Sequence, residues 1–341
     1  MDVTLEEIAK LAGVNSSTVS RVINSPEMVK LKTRQKIEAI INEKGYKPNY
    51  FARGLAKGKT DSVGIITSFN KNPYMIEIIE SIEYQLAMDG TFMYLCNCQH
   101  SLELEQKYLD ELMHRKIDGL FVIESPSLNT KENLYLAKSY SCPVILINQH
   151  TKPYGDNFIV GCDQEPGILE VFEEVKRRKL FPFILLIPDG ISYSFNLKEK
   201  LFETWRQENN LGENEARCIK LNELIDPNHE KSVWQSSEVS KEIFDRYKPR
   251  SVLAGNDLMA LGVLAAARDR GISVPGQLSI AGVDNTYISR ISIPAMSTVD
   301  LRMDEVGLKA AELYQSIKDS DNTNINKTLT LPSNFCFRET F

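Results

Sequence analysis

Residues 53–60, Arg-Gly-Leu-Ala-Lys-Gly-Lys-Thr, carry the residue types of a phosphate cradle: a Gly-Lys-Thr with a second glycine upstream. Such a loop needs four residues between its first glycine and the Gly-Lys-Thr, so that backbone amides and the lysine converge on the phosphates. Gly54 and Gly58 enclose only three, and Arg53 stands where a glycine would restore the count. The cradle must also follow a buried strand, whereas the stretch before it, residues 42–52, is polar and contains Pro48. The nucleotide reading fails on both counts. No G-x-S-x-G or H-E-x-x-H occurs, so neither a nucleophile elbow nor a zinc-protease helix is expected. His100, His114, His150 and His229 are far apart, with no matched nucleophile. Glu173–Glu174 lies in a charged helical run and reads as a solvated face. The six cysteines (Cys96, Cys98, Cys142, Cys162, Cys218 and Cys336) form no C-x-x-C and no cluster with ligand spacing. They are expected to be reduced and mostly buried, with no metal and no cofactor.

A second set of side chains suits hydrogen bonding to an extended anion. Ser16, Ser17, Ser20 and Arg21 fall on the outward positions of a short helix whose inner positions are Val19, Val22 and Ile23. Arginine can give two hydrogen bonds to guanine O6 and N7, and hydroxyls bond phosphates or base edges. The elements around them must hold that face outward. Thr4 and Glu7 have the T-x-x-E spacing of a capping box, which starts a helix carrying Leu5, Ile8, Ala9 and Ala12 at helical spacing. Gly13 supplies the left-handed turn that ends it. Val14 turns back into the small core, and Asn15 is placed to cap the second helix. A third helix puts Ile37, Ile40 and Ile41 inward and Arg34, Lys36 and Lys44 outward, stopping at Gly45 before Pro48. Two helices joined by a short Gly-containing turn predict a helix-turn-helix.

Charge supports that reading. The whole chain of 341 residues has a net charge of −6, which by itself argues against nucleic acid. Residues 1–60, however, hold 11 Lys/Arg against 6 Asp/Glu, and the remainder holds 29 against 40. A small basic head on a larger acidic body fits a DNA-binding arm with a separate sensing body. With no long apolar run and an acidic, amphipathic start, no membrane span or signal peptide is expected, and the expected location is the cytoplasm.

The run "VTLEEIAKLAGVNSSTVSRVIN…TRQKIEAIINEKGYKPNYFARGLAKGKT" closely resembles the head of the LacI/GalR family of bacterial repressors. The resemblance implies a homodimer on a near-palindromic operator in double-stranded DNA. It implies head contacts from Thr4, Ser16, Ser17, Thr18, Ser20, Arg21 and Asn24. It also accounts for the false phosphate loop. Residues 48–60 resemble a hinge that folds when two subunits meet over bent DNA, with contacts from Asn49, Arg53, Leu55, Ala56 and Lys59. Leu55 matches a leucine that wedges into the minor groove, as apolar side chains do in DNA that is kinked on binding. Lys30 departs from the Ser-type cap expected before the third helix.

From Asp61 the rhythm changes. Eight short apolar runs, from "SVGIITS" to "LSIAGV", alternate with amphipathic stretches at 75–89, 102–116, 164–179, 196–209, 235–247 and 256–271. Alternating strand and helix predicts parallel sheets covered on both faces. The fold class expected is therefore an N-terminal all-α helix-turn-helix head (1–47), a hinge (48–60), and an α/β body of two doubly wound lobes, like a periplasmic binding protein. Lobe 1 is expected at 61–158 and 292–322, lobe 2 at 159–291 and 323–341. The chain stops soon after "NFCFRE" with no heptad helix, so a dimer is expected and not a tetramer.

Ligands of open α/β sheets bind at the carboxyl ends of the strands. Tyr74, Asn148, Asn256 and Asp284 stand at such ends; Asn and Asp there also serve as helix caps. The resemblance supports Asn256 and Asp284 as effector contacts and adds Phe195. It also exposes a departure: Leu201 occupies the position where sugar-responsive members carry an arginine, four residues before Trp205. Two readings stay open. The cleft takes a small molecule, a sugar or a derivative, or it is degenerate and a phosphocarrier protein partner controls the regulator. An enzyme is a remote third.

Overall fold

The computed structural model describes residues 3–46, 59–68, 73–99, 101–123, 142–148, 157–189, 193–221, 230–319 and 325–341. The chain forms two compact units, Met1–Asp61 and Ser62–Phe341.

The head holds α1 (Leu5–Ala12), α2 (Ser16–Asn24) and α3 (Leu31–Lys44). The capping box forms as read: Glu7 N–H donates to Thr4 Oγ1 and Thr4 N–H to Glu7 Oε2. Gly13 and Gly45 end their helices at φ 68° and 61°, where a Cβ would be strained. Ile8, Ala9, Ala12, Val19, Val22 and Ile37 form the core, with Val14, Ile23, Ile40 and Ile41 packed on its rim. Two expectations change, at Asn15 and Lys36. Asn15 occupies the cap of α2 but its side chain makes no capping bond. Lys30 likewise caps α3 without a side-chain bond. Lys36 reaches back to give Nζ to the Ala12 carbonyl at 2.8 Å, satisfying one of the orphan acceptors at the end of α1.

The body carries two six-stranded sheets. The first runs β11-β5-β4-β3-β1-β2 and the second β12-β10-β9-β8-β6-β7. Lobe 1 contributes β1 (Ser62–Thr67), β2 (Phe92–Asn97), β3 (Gly119–Ile123), β4 (Val144–Ile147), β5 (Phe158–Asp163) and β11 (Thr328–Pro332). Lobe 2 contributes β6 (Phe183–Pro188), β7 (Ala216–Leu221), β8 (Ser251–Ala254), β9 (Ser279–Asp284), β10 (Ser297–Asp300) and β12 (Asn334–Cys336). All pairings are parallel except β10 with β12. The helices are α4 (Pro73–Met88), α5 (Leu102–His114), α6 (Glu165–Arg178), α7 (Tyr193–Glu208), α8 (Lys231–Tyr247), α9 (Asp257–Asp269), α10 (Tyr287–Ile291) and α11 (Met303–Asp319).

The expected lobe boundaries are corrected by strand pairing. β5 was expected to open lobe 2, but its register with β4 (Ile145 opposite Phe158) and with β11 (Thr328 opposite Ile159) makes it a strand of lobe 1. β10 lies beside β9 in lobe 2, and β11 returns to lobe 1. The crossings therefore fall after Asp163, Asp300 and Pro332. The strands β7, β10 and β11 carry mixed polar and apolar residues, so no apolar run marks them in the sequence. The alternation predicts sheets covered on both faces, but β2 is an edge strand, with Phe92 62% exposed. Two cysteines are buried and four half-buried, all free. Burial pushes the Cys98, Cys162 and Cys218 thiols up to about 12, which keeps them protonated and weakly nucleophilic.

Within lobe 2, Phe172, Phe183, Phe202 and Trp205 pack with ring centroids 5.2–6.4 Å apart. α8 and α9 approach closely, with the Val233 carbonyl, Ser236 and the Ser237 amide set against Gly262. A Cβ on Gly262 would lie 2.3 Å from the Val233 carbonyl oxygen and 2.8 Å from Ser236 Cβ. Gly262→Ala is expected to lower stability by about 1–3 kcal/mol through overpacking, read from the urea midpoint of the full chain.

Candidate DNA-reading face and interlobe site

On α2 the exposed residues include Ser17, Arg21 and Asn24, one stripe at i, i+4 and i+7. Ser16, Thr18 and Ser20 are half-buried beside it. Asn24 donates from Nδ2 to the Ser20 carbonyl (2.9 Å) and Ser20 Oγ (3.2 Å), which holds its amide along the helix. Thr4 is engaged in the capping box, so its side chain orders α1 as well as lying at the head surface. Lys59 is exposed. Asn49, Arg53, Leu55 and Ala56 lie outside the described residues. The head thus presents hydroxyl, guanidinium and amide groups on one solvent-facing stripe, the donor types that read a major groove.

In the body, Tyr74 and Asn148 meet each other. Asn148 Nδ2 donates to Tyr74 Oη, and Asn148 Oδ1 accepts from the Cys162 amide at 3.1 Å. Asn148 also takes φ +53°, in the left-handed region that asparagine tolerates. Its amide therefore pins β4 to β5 at their carboxyl ends. Asn256 is the cap of α9, with Oδ1 accepting from Met259 N–H at 2.9 Å. Phe195 is buried at the start of α7. A Cβ on Gly255 would lie 2.9 Å from the Phe195 ring, so glycine at the end of β8 makes room for the aromatic. Leu201 is half-buried and packs against the core. The N-terminal lobe thus brings Tyr74 and Asn148 together, while Phe195 and Asn256 stand near Gly255 in the other.

Asp284 ends β9 at φ +114°, and Asn285 follows at +57°. Two consecutive non-glycine residues at positive φ store strain that the surroundings must enforce. Asp257, the residue after Asn256, supplies the enforcement. Its Oδ2 accepts from the Thr286 amide (2.8 Å) and hydroxyl (3.0 Å), and its Oδ1 from Thr298 Oγ1 (2.6 Å). Gly282 leaves the space, since a Cβ there would sit 2.5 Å from Asp257 Oδ1. Arg338 donates to Asn285 Oδ1 and to the Met296 carbonyl (2.8 Å). Burial pushes the Asp257 carboxyl up to about 7, with the hydrogen bonds from Thr298 and Thr286 opposing it.

Sequence reasoning also missed Lys198. Its side chain is 2% exposed, and Nζ donates to Ser194 Oγ (2.6 Å) and Gln164 Oε1 (2.9 Å), with Phe195 at 5.1 Å. A buried lysine is rare enough to mark a position. It lies one helical turn before Leu201, a spacing visible in the sequence.

A helix-turn-helix with an exposed polar recognition stripe, followed by a two-lobed body of the periplasmic-binding type, defines a DNA-binding transcriptional regulator with an effector-binding domain. Residues 4–49 match the bacterial regulatory proteins of the lacI family. Residues 60–157 match the family described as periplasmic binding proteins and sugar binding domain of LacI family, and residues 178–341 a periplasmic binding protein-like domain. The chain is 30% identical over 308 residues to the HTH-type transcriptional regulator DegA of Bacillus subtilis (strain 168), covering 90% of this chain and 89% of that one. It is 28% identical to the HTH-type transcriptional repressor PurR of Histophilus somni (strain 129Pt), covering 91% and 90%. Its fold is similar to that of the lac repressor dimer bound to operator and the anti-inducer ONPF, with a TM-score of 0.84 at 22% identity over 100% and 99% of the two chains. The chain belongs to the LacI family of bacterial regulatory proteins. Among the described residues, no helix is long and apolar enough to cross a membrane.

Asp257→Asn is expected to destabilise the chain by about 1–3 kcal/mol, because an amide nitrogen would face a hydroxyl or amide donor. The wild-type carboxyl has a folded pKa raised from 3.8 to about 7. Its protonated form therefore contributes stability that is full below about pH 4 and is lost as pH rises through about 7. The stability gap between wild type and variant should narrow across that window in denaturant titrations.

Proposed function

We propose that this protein is a homodimeric repressor whose grip on a near-palindromic operator is set by a small hydroxyl-rich molecule, a sugar or sugar derivative, between the lobes. The observation that carries the DNA half is the α2 stripe of Ser17, Arg21 and Asn24, exposed and backed by a buried apolar core. Arg21 reads a guanine through two hydrogen bonds, while Ser16, Ser17, Thr18 and Ser20 fix register on phosphates and base edges. Asn49, Arg53, Ala56 and Lys59 contact the backbone from the hinge, and Leu55 wedges into the central step. The effector half is supported by the family match of residues 60–157 to a sugar binding domain. It is supported further by the strain at Asp284 and Asn285, beside Asn256, at the carboxyl ends of neighbouring strands. Binding there shifts the lobes and changes operator affinity, a coupling that runs equally in both directions.

A second reading is favoured by one observation. Tyr74 and Asn148 bond each other, Asn148 also holds the Cys162 amide, and Leu201 offers no charged donor. A cleft whose polar atoms are engaged in this way fits a regulator governed by a phosphocarrier protein partner. Two measurements separate the readings and test the common part. Arg21→Ala should cost about 1–3 kcal/mol of specific operator affinity and relax selection at one base position. Equal affinity and selectivity in a random-operator selection would remove Arg21 from the reading. A thermal-shift screen of the full chain against sugars, sugar phosphates, nucleosides and purines should find a ligand that stabilises by about 2.7 kcal/mol at 100 times its Kd. Asp284→Ala should abolish that shift. A blank across all classes would turn the assignment to the protein partner.

A further inference from the structure

We propose that Glu77 and Arg290 form a latch between the two lobes that sets how far the cleft opens, and so where the regulator sits between its operator-gripping and released states. The second half of that statement rests on the function proposed above; the latch itself does not.

The two ends belong to different lobes. α4, which carries Glu77, follows β1 of the first sheet and packs along α11. α10, which carries Arg290, follows β9 of the second sheet. Arg290 Nη2 donates to Glu77 Oε1 at 3.1 Å, across 213 residues of sequence. The Tyr287 amide donates to the same oxygen at 3.2 Å. One carboxylate oxygen of lobe 1 thus takes both a side-chain and a backbone donor from lobe 2. A hinge rotation or a slide of the lobes moves α4 against α10 and breaks both bonds together.

The lobe 2 end is braced. Arg290 Nη1 donates to the Asn285 carbonyl at 3.0 Å, Arg338 holds the Asn285 side chain, and Asp257 holds Thr286. The guanidinium is therefore fixed to the same strained turn that carries Asp284. A ligand that moves this turn moves the latch. The lobe 1 end is anchored by Met75, Ile78 and Ile79, all buried on α4.

The contact is built to be reversible. Beside it lies a cavity of about 440 Å³ lined by Ile76, Glu80, Asp300, Met303 and Asp304, among others. At this edge of the interlobe region the lobes are therefore joined by a polar bridge beside open space. Burial pushes the Glu77 carboxyl up from its ordinary value, Arg290 opposes this, and Asp304 adds to the rise. The arginine is 49% exposed. A pair whose arginine is exposed in this way contributes modestly, which suits a contact that an effector must overcome. Asp300, which lines the cavity, also ends the strand at the second crossing, so the latch sits beside a hinge segment.

The test uses the full-length protein with donor and acceptor dyes on noncanonical residues at exposed Lys107 on α5 and Glu242 on α8. Labelled chain is diluted into unlabelled chain so that a dimer carries one pair. Glu77→Gln and Arg290→Gln should each change the ratio of near to far populations about two- to five-fold, the range for a partly exposed pair. The double variant should go no further than either single. Glu77→Arg combined with Arg290→Glu should restore part of the distribution, which a merely damaged fold would not do. Unchanged distributions in both single variants, or additive effects in the double, would overturn the latch. Operator affinity is measured on the same variants. A shift in distance with a parallel shift in affinity supports both statements. A shift in distance with unchanged affinity keeps the latch and overturns its coupling to DNA.

Discussion

A carboxylate with almost no access to water organises the lobe 2 side of the cleft. Asp257 is costly to bury, and the two hydroxyls and one amide that converge on it offset part of that cost. Those three donors come from Thr286, in the turn after β9, and Thr298, on β10. The acid therefore ties the start of α9 to the turn that carries Asp284 and to the strand that leads into the second crossing. Gly282 is glycine because the carboxylate needs the volume its side chain would fill. The positive φ at Asp284 and Asn285 persists because the turn is held at both ends.

From that fixed turn the rest of the interlobe region follows. Arg338, near the end of the chain, bonds Asn285 and the Met296 carbonyl. Arg290 bonds the Asn285 carbonyl and reaches the other lobe. Three covalent crossings, after Asp163, Asp300 and Pro332, then join the sheets. A parallel sheet delivers its loops to one end. Two such sheets connected in this way bring two sets of strand ends to a common cleft, over one apolar core that includes Val160 and Cys162 of the first sheet and Val283 and Val299 of the second.

The head works by a different economy of contacts. Its core is six small or branched apolar side chains, and its helix ends are set by a reciprocal Thr4–Glu7 box, two left-handed glycines and the Lys36 bond to Ala12. With so little buried area, each cap carries a large share of the stability. That leaves the α2 stripe free of structural duties except at Asn24, and so available for a partner. The body shows the opposite allocation: several of its polar cleft residues, Tyr74, Asn148 and Asn256, are engaged in holding strand ends or helix starts.

Local chemistry made the head legible in the amino-acid order. The T-x-x-E box, Gly13, Gly45 and the helical spacing within each set (Leu5, Ile8 and Ala12; Val19, Val22 and Ile23; Ile37, Ile40 and Ile41) act over a few residues, so their outcome is set before any long-range contact forms. The alternation of apolar runs with amphipathic stretches likewise gave two parallel α/β lobes, because a strand buried on both faces must be apolar along its length. What the sequence left open was decided by pairing between distant segments. β5, β10 and β11 changed lobes because a strand belongs to whichever sheet satisfies its backbone hydrogen bonds, and no residue in "FIVGC" or "STVD" records the partner. That Asn148 and Tyr74 bond each other is likewise a matter of distant segments meeting. Only the tertiary structure brought Asp257 to Thr286 and Thr298, Lys198 to Gln164, and Glu77 to Arg290, since each pair is far apart in the chain and is selected by packing geometry and desolvation, which have no local signature.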